Sequence, residues 1–236
     1  DPAAPGVRER LVAIFSELVK RYPELDGLHL DYVRHPDVLP LIPGSRFGVG
    51  LDFGYGPASR ERFRLDTGLP GPYRDAGGEN PHDILNADRW DAWRRDQVTA
   101  LVSAIRSGAQ AERPGLVISA AVNAYVDRAY LSLFQDWKRW LEEGLIDLAI
   151  PMAYTTDDRL LRYQLESFAG SAQRERIWPG LGTWLFAGQP QRAIEQIAIA
   201  RRSGLRGDAL FSYDAIRSEP ALYEALVDEA SGPPAR

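Results

Sequence analysis

Cysteine is absent from the 236 residues, which excludes a disulfide framework and thiolate chemistry alike. Histidine is nearly as scarce: three copies leave little from which to build a metal site, and no metal or cofactor is expected. Positive charge is in the minority, 28 Lys and Arg against 33 Asp and Glu, and a net charge of −5 speaks against a polyanion-binding surface. Nucleic acid is therefore not an expected partner. No apolar run approaches the roughly 18 residues that a membrane-crossing helix requires. A charged-then-apolar leader is missing too, and the sequence opens inside a helical pattern.

What is present is an aromatic-rich chain with enough apolar residues for a large core, as expected of one α/β domain over about residues 1–230 with a tail at 231–236. In "GVRERLVAIFSELVKRY" the apolar residues Val7, Leu11, Ile14, Phe15, Leu18 and Val19 recur at helical spacing, and "PELDG" turns the chain into "LHLDYV", a strand. A Gly-, Pro- and aromatic-rich segment over 37–86, with Phe47, Phe53, Tyr55 and Tyr73, reads as an elaborated loop over an active-site face, as a lid or as a structural cover.

Helix and strand then alternate. "ADRWDAWRRDQVTALVSAIRSGA" precedes "GLVISAAV"; "AYLSLFQDWKRWLEEG", read as one helix, precedes "LIDLAIPMAY"; "RLLRYQLESFA" precedes "RIWPGLGTW"; and "PQRAIEQIAIARRSG" precedes "GDALFSYDA". Short apolar strands separated by helices signify βαβ units and a parallel sheet. About five strands are visible where a closed (β/α)8 TIM barrel needs eight, so the expectation is the C-terminal part of such a barrel. An open doubly wound sheet is disfavoured, because no Gly-rich phosphate loop follows any strand.

In "LDGLHLDYVRHP" the alternation that sends Leu28 and Leu30 toward helices sends His29, Asp31 and Val33 inward, with Asp31 near the C-terminal mouth where barrel enzymes keep their chemistry. Asp31 is the first candidate for a catalytic carboxyl. His29, one step deeper, reads as a buried, hydrogen-bonded histidine, and Tyr32 and Arg34 follow the strand as substrate contacts. The other strand ends offer Asn123, Tyr154, Asp157, Trp184, Tyr213 and Asp214. Asn and Tyr hydrogen-bond sugar hydroxyls or acetamides, and Trp presents a flat face to a pyranose ring. In "WDAWRRD", Trp90 and Trp93 read as core, and Arg94 and Arg95 as solvent-facing charges.

The motifs "DGLHLDYVRHP", "WDAWRRDQVTALV", "IPMAYT" and "ALFSYDA", in that order, closely resemble the glycosyl hydrolase-like 10 family of bacterial proteins. The resemblance implies a barrel related to glycoside hydrolases, entered near its third βα unit and acting on a bacterial polysaccharide such as peptidoglycan glycan or another amino-sugar polymer. A more distant similarity is to family-18 chitinases, whose "DGxDxDxE" strand supplies the acid. His29 and Val33 stand where that motif has its first inward aspartate and its glutamate, so the chitinase mechanism does not carry over.

Glycoside hydrolysis ordinarily uses two carboxyl groups, one as acid and one as nucleophile or base. Asp31 is the first; Asp214, Asp157 and Asp158 compete for the second, with an N-cap as the competing role of Asp214. Two other readings stay open: a catalytically inactive barrel that binds glycan, and a cation site built on His29, His35 and Asp31. The substrate class implies an exported or cell-envelope protein. Oligomeric state is not legible.

Overall fold

The computed structural model describes residues 1–36, 54–72 and 85–231. Of the aromatic residues assigned to the 37–86 loop, Phe47, Phe53 and Tyr73 lie outside the described residues. In chain order the described elements are α1 (Val7–Arg21), β1 (Gly27–Leu30), α2 (Pro57–Thr67), α3 (Ala87–Glu112), β2 (Val117–Asn123), α4 (Val126–Leu131), α5 (Trp137–Glu142), β3 (Leu148–Met152), α6 (Asp158–Ala169), β4 (Gly180–Gly182), α7 (Pro190–Arg201), β5 (Ala209–Phe211), α8 (Tyr213–Ser218) and α9 (Pro220–Ser231). Single 3₁₀ turns occupy Arg174–Arg176 and Thr183–Phe186. The strands form one sheet in sequential order β1-β2-β3-β4-β5, and β2 through β5 pair in parallel. That is the strand order of a (β/α)8 barrel, represented here by five strands.

Contacts group the residues into two units. The first comprises Asp1–Leu28, Tyr32–Ile118 and Val126–Trp140. In it α1 lies close against α3 because Gly108 has no β-carbon: one placed there would sit 2.7 Å from Cγ1 of Val12. Arg113, at the end of α3, donates to the carbonyls of Val19 at 2.8 Å and Tyr22 at 3.1 Å, and also to that of Leu25. One guanidinium thus satisfies carbonyls that α1 leaves open at its C-terminus, and it steers the turn into β1.

The core of this unit is aromatic. Phe63 and Trp90 are fully buried, their rings 5.0 Å apart edge to face, and Trp93 stacks on Trp90 at 5.1 Å while its Nε1 donates to Asp66. Trp90→Ala is expected to cost about 3–5 kcal/mol, the usual range for emptying a large aromatic site; urea unfolding followed by tryptophan fluorescence measures it.

Three expectations need correcting here. Part of the 37–86 loop is helix α2, which opens on Pro57 and stops at Gly68, φ 69°; with it Tyr55 is a buried core residue. "AYLSLFQDWKRWLEEG" is not one helix: Phe134 takes φ 53°, which no continuing helix tolerates, and the segment divides into α4 and α5. Arg94 is buried, not solvent-facing. Its guanidinium lies 4.0 Å from the Phe134 ring centre and 4.9 Å from that of Tyr55, and Nη2 is 3.1 Å from Nδ1 of His35, itself buried. Arg95 is the surface partner, stacked on Tyr130 at 3.9 Å.

The second unit comprises His29–Asp31, Ser119–Tyr125 and Leu141–Arg236. Along β2, Ile118, Ala120 and Val122 are fully buried while Ser119 and Asn123 are partly open; along β3, Ala149 and Pro151 are buried while Leu148, Ile150 and Met152 are partly open. Opposite partners in a ladder share a face. The register pairs Ser119 with Leu148, Ala121 with Ile150, Asn123 with Met152, Met152 with Gly180, Gly180 with Ala209 and Gly182 with Phe211, so these residues define the open face of the sheet. Phe186, Ala193 and Leu222 form a separate apolar cluster under α7 and α9, with Ile216 and Leu226 against it.

Candidate active site

The open face carries two kinds of chemistry. Along β1 and the residue after it the burial alternates as the sequence requires: Leu28 and Leu30 are buried, His29 and Asp31 exposed. His29 was expected to be buried; it is solvent-reachable, though hydrogen-bonded, with Nδ1 2.9 Å from the hydroxyl of Ser119 on β2. Desolvation by the surrounding atoms lowers its pKa, and the Asp31 carboxylate pulls the other way. Asn123 ends β2, its Oδ1 accepting from the amide of Tyr125 at 2.9 Å.

Beyond β3, β4 and β5 the face turns aromatic. The Tyr154 ring stands edge to face with Trp184 at 4.6 Å and nearly parallel to Phe211 at 5.6 Å, and Trp184 meets Phe211 edge to face at 5.5 Å. Thr183, buried, donates its hydroxyl to the carbonyl of Phe211 at 3.0 Å, tying the turn that bears Trp184 to the end of β5. Gly182 makes the cluster possible: a β-carbon there would lie 2.8 Å from Cζ3 and 3.0 Å from Cη2 of Trp184. Phe211, 47% exposed, escaped the sequence reading. Its alternation with Leu210 on β5 was the signal, masked by the polar "SYD" that follows.

The competing carboxylates separate by what they bind. Asp157 caps α6, accepting from the Arg159 amide at 2.8 Å; that bond and the Arg159 side chain lower its pKa. Asp158 is held by two bonds of 3.0 Å from Arg192 on α7, which lower its pKa, and by Gln196 at 3.1 Å. Gln196 is buried and also donates to the carbonyl of Thr155 at 3.0 Å, so α7 clamps the segment immediately after Tyr154. Gln196→Leu is expected to speed amide hydrogen exchange at 155–158 with little effect on β3, as mass spectrometry of exchanged peptides would read. Asp214 lies in the first turn of α8, but the cap there is Ser212, which accepts from Ala215; the capping role weighed for Asp214 belongs to its neighbour. Tyr213, the first residue of α8, is exposed.

Tyr32 and Arg34 belong to the first unit. Tyr32 is exposed and adopts φ 52°, a left-handed conformation that costs a non-glycine residue energy, and the Arg34 guanidinium sits 5.1 Å from its ring centre. Arg34 also donates to the carbonyl of His35 at 3.2 Å. The cation site considered on His29, His35 and Asp31 would need His35, whose Nδ1 faces the Arg94 guanidinium inside the first unit. Among the described residues no group of three His, Asp or Glu side chains is disposed to hold a metal ion, and no helix is long and apolar enough to cross a membrane.

The glycosyl hydrolase-like 10 family model matches residues 1–201. The chain belongs to the glycosyl hydrolase-like 10 family. Curated relatives include the glycosyl hydrolase DigH of Escherichia coli K12 and of Shigella flexneri, each 25% identical over 168 residues, 65% of this chain. The match spans 31% of those relatives' length. In fold, this glycosyl hydrolase-like 10 chain is similar to the PgaB (BpsB) glycoside hydrolase domain of Bordetella bronchiseptica, with a TM-score of 0.68 at 16% identity over 97% of this chain and 62% of that one. The likeness supports a barrel-type sheet.

Proposed function

We propose that this protein hydrolyses glycosidic bonds in a bacterial amino-sugar polysaccharide, peptidoglycan glycan strands being the first choice, and that it works at the cell envelope or outside the cell. The observation that carries the reading is the open face of the second unit, where the exposed carboxyl of Asp31 shares a sheet with the Tyr154, Trp184 and Phe211 rings. A pyranose has an apolar face for such rings and hydroxyls for His29, Asn123 and Tyr213. Asp31 supplies one carboxyl and Asp214 the second, because Asp157 and Asp158 are committed to a helix cap and an ion pair. Asp157 completes the proposed contacts to substrate within this unit.

The test is release of reducing ends from peptidoglycan glycan strands, with and without stem peptides, and from chitin-type oligomers. Release from glycan strands supports the reading; binding without release turns it into the second reading, a glycan-binding barrel without activity. One observation favours that second reading: Val33, where chitinases carry their glutamate, is a buried apolar residue. Under either reading Gly182→Ala is expected to push the Trp184 ring aside and weaken glycan affinity roughly tenfold, as titration calorimetry would show.

A further inference from the structure

Ser119 has no place in the site described so far, although it is the residue that holds His29. β1 and β2 run side by side, and the Ser119 hydroxyl and the His29 imidazole meet at 2.9 Å on the open face. Asp31 stands two residues on from His29, just past the end of β1. We propose that Ser119 and His29 act together as the positioning pair for Asp31, the serine fixing the rotamer and tautomer of the ring that stands two residues before it. The inference rests on the reading of Asp31 as a catalytic carboxyl and adds to it the groups that position it.

The physical case has three parts. An imidazole free in water rotates about χ2 and exchanges tautomers, so its charge and its N–H direction are undefined toward a neighbour. A serine at Nδ1 removes that freedom, because the same ring nitrogen that meets the hydroxyl decides which nitrogen is left for other partners. The ring is also electrostatically linked to Asp31, the charged group that faces it, while the contribution from β2 is the uncharged Ser119. Linkage works in both directions, so altering Asp31 must alter the titration of His29.

The chain has three histidines, which makes the decisive measurement simple: ring-proton and ring-nitrogen NMR titrations of the wild type, with the His29 signals assigned by their loss in His29→Gln. In Asp31→Asn the His29 pKa is expected to fall further, since the raising influence of the carboxylate is gone. In Ser119→Ala the nitrogen shifts are expected to move toward the tautomer mixture of free imidazole, and Ser119→Thr, which keeps the hydroxyl, is expected to restore them. On a glycan that the wild type cleaves, Ser119→Ala should lower kcat roughly tenfold with KM little changed, the scale of one lost hydrogen bond, and should displace the pH profile. A His29 titration identical in wild type and Asp31→Asn, or tautomer shifts unchanged in Ser119→Ala, overturns the inference. Because the NMR arm needs no substrate, a wild type that cleaves no glycan would count against the proposed activity and leave this result to be read separately.

Discussion

Asp31→Asn is expected to reduce the release of reducing ends from glycan strands by about a thousandfold, within the range that a positioned acid or base contributes. Asparagine keeps the shape and one acceptor oxygen but neither donates an acidic proton nor carries charge. The fold should not notice the change, because Asp31 is exposed just past the end of β1 while Leu28 and Leu30 on the other face hold the strand down. Unchanged circular dichroism and unchanged glycan affinity therefore belong to the expected result. A loss of less than about tenfold would remove Asp31 from the chemistry, because a group acting directly on the reacting atoms cannot be replaced so cheaply. The role of the carboxyl follows from a companion variant. If Asp31 is the nucleophile, Asp31→Ala should be rescued by azide with formation of a glycosyl azide; if it is the acid, only substrates with good leaving groups should still be cleaved.

Acid is expected to unfold the first unit in a way that a single substitution relieves. Burial, with the Arg94 guanidinium adding to it, lowers the pKa of His35 from 6.5 to about 3. Between those values the unfolded chain takes up a proton that the folded chain refuses. The contribution of His35 to stability is thus complete above pH 6.5 and is lost progressively as the pH falls toward 3. The slope is about 1.4 kcal/mol per pH unit. His35→Gln has no proton to take up, so its stability should be flatter over that window even if it is lower at neutral pH. Urea midpoints of both proteins from pH 7.5 downward, followed by the fluorescence of Trp90 and Trp93, make the comparison. Parallel slopes would mean that His35 is not the group that titrates. The geometry behind the expectation is crowded: Arg94 lies against Tyr55 and Phe134, Phe134 meets the His35 ring edge-on at 5.3 Å, and a β-carbon on Gly54 would sit 2.8 Å from Cε1 of His35. An imidazolium there would face a guanidinium with no room for water between them.

The sequence disclosed the features that depend on period. Alternation in "LHLD" separated the buried leucines from His29 and Asp31, and helical spacing found α1, α3, α6 and α7 to within about three residues of their ends. Features that depend on a distant partner were not legible. Arg94 follows Trp93 in a polar run, and nothing local says that Tyr55 and Phe134 will close around its charge. The break at Phe134 was hidden because a bulky residue at positive φ carries no composition signal, unlike the glycines that end other helices. Helix α2 was concealed by its surroundings: an 11-residue segment with one fully buried side chain, Phe63, lacks the repeated stripe that marks a helix. At the site, the residues at strand ends could be named one by one, whereas Ser119 and Phe211 gain meaning only from register, which tells what stands beside them on the next strand.

Glycine in β4 has one further consequence. At positions 180 and 182 that strand offers the open face no side chain at all, and the neighbouring rings of Tyr154 and Trp184 lean over the bare peptide. The rings can come this close to the strand because the β-carbons at 180 and 182 are missing. A methyl group at 182 displaces an indole, and one at 180 comes within 3.3 Å of Ile150 and of the carbonyl oxygen of Pro151 on the neighbouring strand. The space over this strand is therefore set one carbon at a time, by the two side chains that it lacks.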